Sequence, residues 1–210
     1  MEGGLEVAFL RKHAFKIAVL ALCAVMGIYL LFTYVWKPEA PLPVIKQAPA
    51  FEINDIDGNP VSLASTSGKV RLVYYYFANC PDVCPPTTFL LAEAQEKLRE
   101  QGKLGTDVEL ISITFDPERD TPEVIRNFAE RTSAEVGDGW HFLRGDGDET
   151  IKLASEMKIS VMKDPGGETF SHMNLIALID QNDQIRQLIK GSDENLTAND
   201  IVDQVDRLLK

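Results

Sequence analysis

Val70-Arg71-Leu72-Val73-Tyr74-Tyr75-Tyr76-Phe77-Ala78-Asn79-Cys80-Pro81-Asp82-Val83-Cys84-Pro85-Pro86 runs from an apolar segment straight into two cysteines four residues apart. Val70 to Phe77 is rich in aromatic and β-branched side chains and almost continuously apolar, the pattern of a strand buried on both faces. Pro85 and Pro86 can open a helix but cannot sit inside one. Thr87 to Gln101 then carries Leu90, Leu91, Ala94 and Leu98 at helical spacing, with Gly102 to stop it. A strand that hands a Cys-x-x-x-Cys pair to a helix start suits thiol redox chemistry or the capture of a soft metal ion. Cysteines at i and i+4 there have Cα atoms about 6 Å apart, close enough for a disulfide or a shared ion. On the cysteines alone, a structural disulfide is the default for an exported domain. Two points count against it: a loop this short gains little closure entropy, and strand C-terminal ends in open α/β sheets are where ligands bind.

Working outward, Phe51 to Ile56 alternates apolar and polar, Asp57-Gly58-Asn59-Pro60 turns, and Val61-Ser62-Leu63 resumes, which predicts a hairpin. Val108 to Phe115 is a second apolar strand, ending at Asp116-Pro117. Thr121-Pro122-Glu123 opens a helix to about Arg131. Trp140 to Leu143 reads as a strand, Asp148 to Met157 as a helix, Ile159 to Val161 as an extended stretch, and Lys163 to Ser171 as a mobile loop around Pro165-Gly166-Gly167. Leu175 to Ile179 and Ile185 to Ile189 pair around an Asp180-to-Asp183 turn, and Asn199 to Leu209 closes as an amphipathic helix. The order predicts an α/β fold, a mixed sheet with flanking helices and an N-terminal β-hairpin; with a strand feeding cysteines into a helix, it resembles a thioredoxin-like fold.

Ile17 to Trp36 holds 20 residues without a formal charge. As a helix it would be roughly 30 Å long, the thickness of a bilayer's hydrocarbon core. Tyr29, Tyr34 and Trp36 gather at its far end, as in an interfacial aromatic belt. Arg11, Lys12, His13 and Lys16 precede it, so the positive-inside rule puts residues 1–16 in the cytoplasm and everything after the 17–36 anchor outside. A cleaved signal peptide would have a shorter apolar core and a small-x-small site, and Glu2 and Glu6 argue against an organellar leader. Cys23 reads as an apolar filler of that helix, not a lipid-attachment site. Residues 37–49, with four prolines in 13 residues, read as a semi-extended linker to a globular domain over 50–210. Removing the three basic and two acidic residues of 1–36 from totals of 21 and 32 leaves 18 against 30, about −12. That excess argues against nucleic acid as a partner.

Of the three histidines, His13 belongs to the flank of the anchor and His141 sits in a strand pattern beside Trp140. His172 closes the 163–171 loop just before the strand Leu175 to Ile179, where the fold would turn it toward the cysteines.

Cys80-Pro81-Asp82-Val83-Cys84-Pro85, Asp116-Pro117-Glu118-Arg119-Asp120-Thr121-Pro122 and Ser171-His172, each followed by the expected element, make residues from about 46 to 210 resemble the Sco/SenC family of membrane-anchored, copper-binding assembly factors for cytochrome c oxidase. The resemblance implies that Cys80, Cys84 and His172 bind copper as Cu(I) or Cu(II). It implies a location at the cell membrane, with the domain periplasmic or on the outer face. The recipient would be the dinuclear copper site of oxidase subunit II, by copper delivery, by reduction of its cysteines, or both. Another copper chaperone or a thiol reductase would be a further partner. Two thiolates and an imidazole are soft-to-borderline donors that suit copper. Asp116 matches the family's motif aspartate and is expected near the site, tuning copper affinity or partner contact; a helix-capping role before Thr121-Pro122 is the alternative. Met173 departs from the small polar residue usual in the family; both Met173 and Met162 are expected to pack in the core, with a thioether assisting Cu(I) as the alternative.

A thiol–disulfide oxidoreductase without a copper-carrying role needs only Cys80 and Cys84 and is the competing reading. A Cys₂His zinc site is chemically allowed but would be colourless, whereas thiolate-bound copper(II) absorbs strongly.

Overall fold

The computed structural model describes residues 3–35, 40–166 and 169–209, with side chains of the first helix from His13 to Thr33. Glu2, Trp36, linker residues 37–39, Gly167, Glu168 and the side chains of Glu6, Arg11, Lys12 and Tyr34 lie outside the described residues. The chain falls into two compact units that divide between Ala40 and Pro41.

The first unit is the helix α1 (Gly3–Leu30), continued by a π-helical turn over Leu31–Val35. Its stretch His13–Thr33, 21 residues, is long and apolar enough to cross a membrane by length and composition.

The second unit contains, in chain order, β1 (Lys46–Gln47), β2 (Glu52–Asn54), β3 (Pro60–Ser62), β4 (Val70–Tyr76), α2 (Cys84–Glu100), β5 (Val108–Thr114), α3 (Pro122–Arg131), β6 (Trp140–Arg144), α4 (Gly147–Glu156), β7 (Val161–Lys163), β8 (Phe170–His172), β9 (Leu175–Ile179), β10 (Gln184–Lys190) and α5 (Ala198–Leu209). Six strands form one sheet in the order β1-β10-β9-β4-β5-β6, while β2–β3 and β7–β8 are separate two-stranded ribbons. The central strand β4 runs parallel to β5 and antiparallel to β9, so the sheet is mixed. Every residue of β4 and of β5 is buried, which is why both read as apolar runs without alternation.

Consecutive strand residues face opposite sides of a sheet. Tyr76 stacks on Phe128 of α3 at 5.2 Å between ring centroids, whereas the Tyr75 hydroxyl donates to the Met157 sulfur, just past α4, at 3.6 Å. Helices α3 and α4 therefore cover opposite faces. Helix α5 packs on α2 through the apolar stripe Ile201, Val202 and Val205. The thioredoxin-like α/β arrangement and the hairpin Glu52–Ser62 match the sequence expectation.

Three expectations are corrected. Helix α2 begins at Cys84, not Thr87, with Pro85 and Pro86 inside its first turn. The first turn has no intrahelical use for an N–H, so two prolines there cost no hydrogen bond. The two ends of the expected 163–171 loop are paired: β7 runs antiparallel to β8, matching Val161 to His172 and Lys163 to Phe170. Phe170 drives this pairing by packing against Phe115 and Phe77, at 4.9 and 5.5 Å between ring centroids. The boundary of the globular unit also moves, because residues 41–49 do not run as linker. Lys46 pairs with Ile185, Ala48 N donates to the Asp183 carbonyl at 2.8 Å, the Arg186 guanidinium donates to the Leu42 carbonyl, and Leu42 and Ala48 are buried. Leu42 and Ala48, interspersed among the prolines, are the side chains that bury there, while Ile45 stays exposed and contributes its backbone, donating to the Ile185 carbonyl at 2.8 Å.

A chain beginning at residue 41 should resist urea better than one beginning at residue 50. The loss of β1 and of buried Leu42 corresponds to about 2–4 kcal/mol, from the burial of one leucine and a few hydrogen bonds. Coincident unfolding midpoints for the two chains would show that the 41–49 segment contributes nothing to the fold.

Candidate metal centre

Strand β4 ends at Tyr76, and the chain turns through Phe77 to Cys80, whose amide donates to the Phe77 carbonyl at 3.2 Å. The turn delivers Cys84 to the first position of α2, where its amide donates to the Cys80 sulfur at 3.4 Å. From the far side of the chain, β8 places His172 so that its Nε2 lies 3.6 Å from the Cys84 sulfur. The two sulfurs and one imidazole nitrogen lie within 4.8 Å of one another, an arrangement able to hold a metal ion. Both cysteines are buried free thiols; Cys84 is wholly enclosed and Cys80 is 8 % exposed. The imidazole is half-buried against Phe115 and Phe77, at 5.2 and 6.1 Å between ring centroids.

The family model described as SCO1/SenC matches residues 42–210 of this chain, a span that contains all three side chains. The chain belongs to the SCO1/SenC family. Among curated SCO1/SenC proteins, the SCO1 homologue of Bacillus subtilis is 30 % identical over 165 residues, covering 78 % of this chain and 83 % of that one. Two solved relatives superpose well. BsSco, a member of the Sco family of cytochrome c oxidase assembly proteins, has a TM-score of 0.69 at 29 % identity over 81 % of this chain and 98 % of that one. The copper-bound structure of Bradyrhizobium japonicum ScoI has a TM-score of 0.62 at 28 % identity over 77 % of this chain and 99 % of that one.

The two thiols of this SCO1/SenC site are electrostatically unequal. The hydrogen bond from Cys84, with help from His172 and the Asp82 and Cys84 amides, pulls the Cys80 thiol well below its usual range despite burial. The adjacent Cys80 sulfur, then burial, push the Cys84 thiol far up. One proton is therefore shared unevenly, and the more exposed Cys80 carries the first thiolate. Burial, then the Cys84 sulfur beside it, also raise the Tyr74 phenol well above its usual range, so Tyr74 stays a neutral hydrogen-bond donor.

Asp116 does not join the ligand cluster. It is buried, and its carboxylate accepts from Arg119 Nε at 2.5 Å; the helix cap before Pro122 is Thr121, which accepts from Val124 N at 3.3 Å. Asp116 lies instead beside Phe115, in a cavity of about 300 Å³ whose lining includes Pro117, Arg144, Lys163 and Phe170. The residue of that motif tied to the site is Asp120. Fully buried, its carboxylate accepts from the Ala78 amide at 2.9 Å and from the Thr114 hydroxyl, joining the cysteine turn to the end of β5. Burial raises its carboxyl above the usual range. The motif contained Asp120, but two aspartates four apart cannot be told apart by sequence alone. Met162 and Met173 are 63 % and 47 % exposed, not core residues as expected. Alternation from the inward-facing Val161–His172 pair turns both to the outer side of the β7–β8 ribbon. His141 is half-buried, with Nε2 3.5 Å from the Glu109 carboxylate and no part in the site.

In the reduced, metal-free protein, iodoacetamide should modify Cys80 first, while Cys84 reacts only on unfolding. Since the Cys80 thiol is depressed, its rate should stay nearly level as pH falls from 9 through about 7, where an unperturbed thiol of pKa about 8.5 would lose most of its thiolate. Peptide mass spectrometry after timed labelling distinguishes the two sites; equal labelling of both would overturn the assigned asymmetry.

Proposed function

We propose that this chain is a single-pass, membrane-anchored copper-binding protein that assembles the dinuclear copper site of cytochrome c oxidase subunit II, by copper delivery, by reduction of that subunit's cysteines, or by both. In this reading Cys80, Cys84 and His172 are the copper ligands, the N-terminus is cytoplasmic, and the globular unit lies on the extracytoplasmic side. The observation that carries it is the convergence of the imidazole nitrogen of His172 on the Cys84 sulfur at 3.6 Å, from 88 residues away in sequence. Disulfide exchange needs only the two thiols, with the imidazole at most lowering the Cys80 thiol, whereas a metal ion uses all three donors. The copper-bound Bradyrhizobium ScoI and the oxidase-assembly relative BsSco support the metal and the destination.

The donor set fits copper in either oxidation state. Thiolates favour Cu(I), and the addition of one imidazole keeps Cu(II) accessible. Binding requires both sulfurs as thiolates; a cation between them supplies the charge that removes the second proton from Cys84 and so releases it to solvent. The aromatic wall of Phe77, Phe115 and Phe170 limits water at the imidazole face, while the half-exposed ring leaves one side open to an incoming partner ligand. The sulfur asymmetry is compatible with the reductive variant as well as with copper loading. The Cys80 thiolate attacks a partner disulfide and expels one partner thiolate. Cys84 then loses its proton and attacks the mixed disulfide, leaving two reduced partner cysteines and an oxidised Cys80–Cys84 pair.

Titrating the reduced full-length chain in detergent with Cu(I) and with Cu(II) tests the reading. It should take up one copper per chain, with a strong visible thiolate absorption in the Cu(II) form. Cys80→Ser, Cys84→Ser and His172→Ala should each abolish tight binding, whereas Cys23→Ser should leave it unchanged. Binding that survives His172→Ala would undo the ligand assignment, and a chain that takes up no copper yet reduces disulfides would belong with the thiol–disulfide oxidoreductases.

A further inference from the structure

The ribbon that carries His172 is not part of the main sheet, so something must fix it relative to Cys84. Aromatic packing supplies attraction but little direction: ring centroids 5–6 Å apart tolerate shifts that would spoil a metal–ligand bond. Hydrogen bonds are directional to within tenths of an ångström. Between β8 and β9 stand only Met173, exposed, and Asn174, buried. Asn174 uses both ends of its side chain. Its Oδ1 accepts from the hydroxyl of Tyr74 on β4 at 3.1 Å, and its Nδ2 donates to the hydroxyl of Thr87 on α2 at 2.9 Å. The Thr87 hydroxyl in turn donates to the Gly191 carbonyl at 3.3 Å, and the Gly191 amide donates to the Asn174 carbonyl at 3.0 Å, closing the circuit. Tyr74, Thr87 and Asn174 are all buried, and the two bonds of the Asn174 amide are themselves buried, which strengthens them. The junction has no slack either: a Cβ on Gly191 would stand 2.8 Å from Thr87 Cγ2 and 3.1 Å from its Oγ1.

We infer that Asn174 is a positioning residue for the metal centre: with Thr87 and Tyr74 it forms a clamp that sets the separation of the His172 imidazole from the Cys84 sulfur. Asn174 lies two residues beyond His172, and Thr87 lies in the first turn of α2, three residues beyond Cys84. One amide side chain therefore joins the carriers of two ligands, and Tyr74 ties both to the central strand. The inference rests on the copper reading above and adds what holds that ligand set in shape.

The test uses the reduced full-length chain in detergent. Asn174→Ala, Thr87→Val and the control Gln95→Ala are compared for copper affinity, Cu(II) absorption and melting temperature without metal. Gln95 is also a buried amide on α2 with two partners, the Glu135 carbonyl at 2.9 Å and amide at 3.1 Å, but it lies eleven residues beyond Cys84 and its side-chain hydrogen bonds go to Glu135, not to the β8–β9 junction. Asn174→Ala should weaken copper binding by about ten- to a hundredfold and shift the thiolate absorption band, as loss of a residue that orients a ligand does. Thr87→Val, which breaks one arm of the circuit, should do the same to a smaller extent. Gln95→Ala should lower the melting temperature with band and affinity unchanged. Wild-type band and affinity in Thr87→Val and in any Asn174→Ala that folds would overturn the clamp. So would copper losses in all three variants that simply follow their melting temperatures. If the unaltered chain takes up no copper, the copper reading fails instead, a result separable from failure of the clamp.

Discussion

The antiparallel seating of β9 against β4 is the constraint on which the rest of this molecule depends. Arg71 to Tyr74 pair with Ile179 to Ile176, so the start of β9 falls beside the end of β4 from which the cysteine turn departs. Any segment just upstream of Leu175 is thereby carried to the cysteines, however far it lies from them in sequence. A one-residue slip in this register would turn Tyr74 and Ile176 to the opposite faces and draw the histidine out of line with the sulfurs. Burial on both sides fixes that register, because neither strand has a solvent face to which its side chains could move.

With the scaffold fixed, the chemistry follows from unequal exposure of two sulfurs only four residues apart. The same helix start serves both, yet Cys84 sits beneath it, against Tyr74, while Cys80 remains on the turn outside. The enclosed sulfur keeps its proton until something positively charged arrives, and the outer sulfur is ready beforehand. This asymmetry suits stepwise loading or stepwise thiol exchange equally well. His172 brings a third donor to the pair and also helps to lower the Cys80 thiol, so it bears on both.

Much of this was legible in the sequence because it rests on patterns of one segment. The continuous apolar runs of β4 and β5 could only be central strands, and the spacing of Cys80 and Cys84 dictated their shared turn. Pro122 after Thr121 fixed the start of α3, and the structure begins that helix at the same proline. What escaped depended on distant partners. The β7–β8 ribbon exists because Phe170 finds Phe115 and Phe77, which nothing local announces. Residues 41–49 have the composition of a linker, yet they meet an open edge at β10. Asp116 stood out among the motif residues, but a buried contact with Ala78 gives that place to Asp120. Asn174 carries no local signal at all; its importance comes wholly from which hydroxyls surround it.

The short strand β1 has a consequence for how copies of the protein coexist. It occupies the outer margin of β10, while Asp55 bridges to Leu143 and the Ile56 amide donates to the Phe142 carbonyl at 3.0 Å along the outer margin of β6. The outer margins of β10 and β6 are thus dressed, over those lengths, by residues from the front of the globular unit, with two-residue β1 left as the sheet's short edge. Exposed flanks of that kind can recruit foreign strands and grow into insoluble stacks. By folding its own leading segment over each side, the unit withdraws these templates from crowded neighbours.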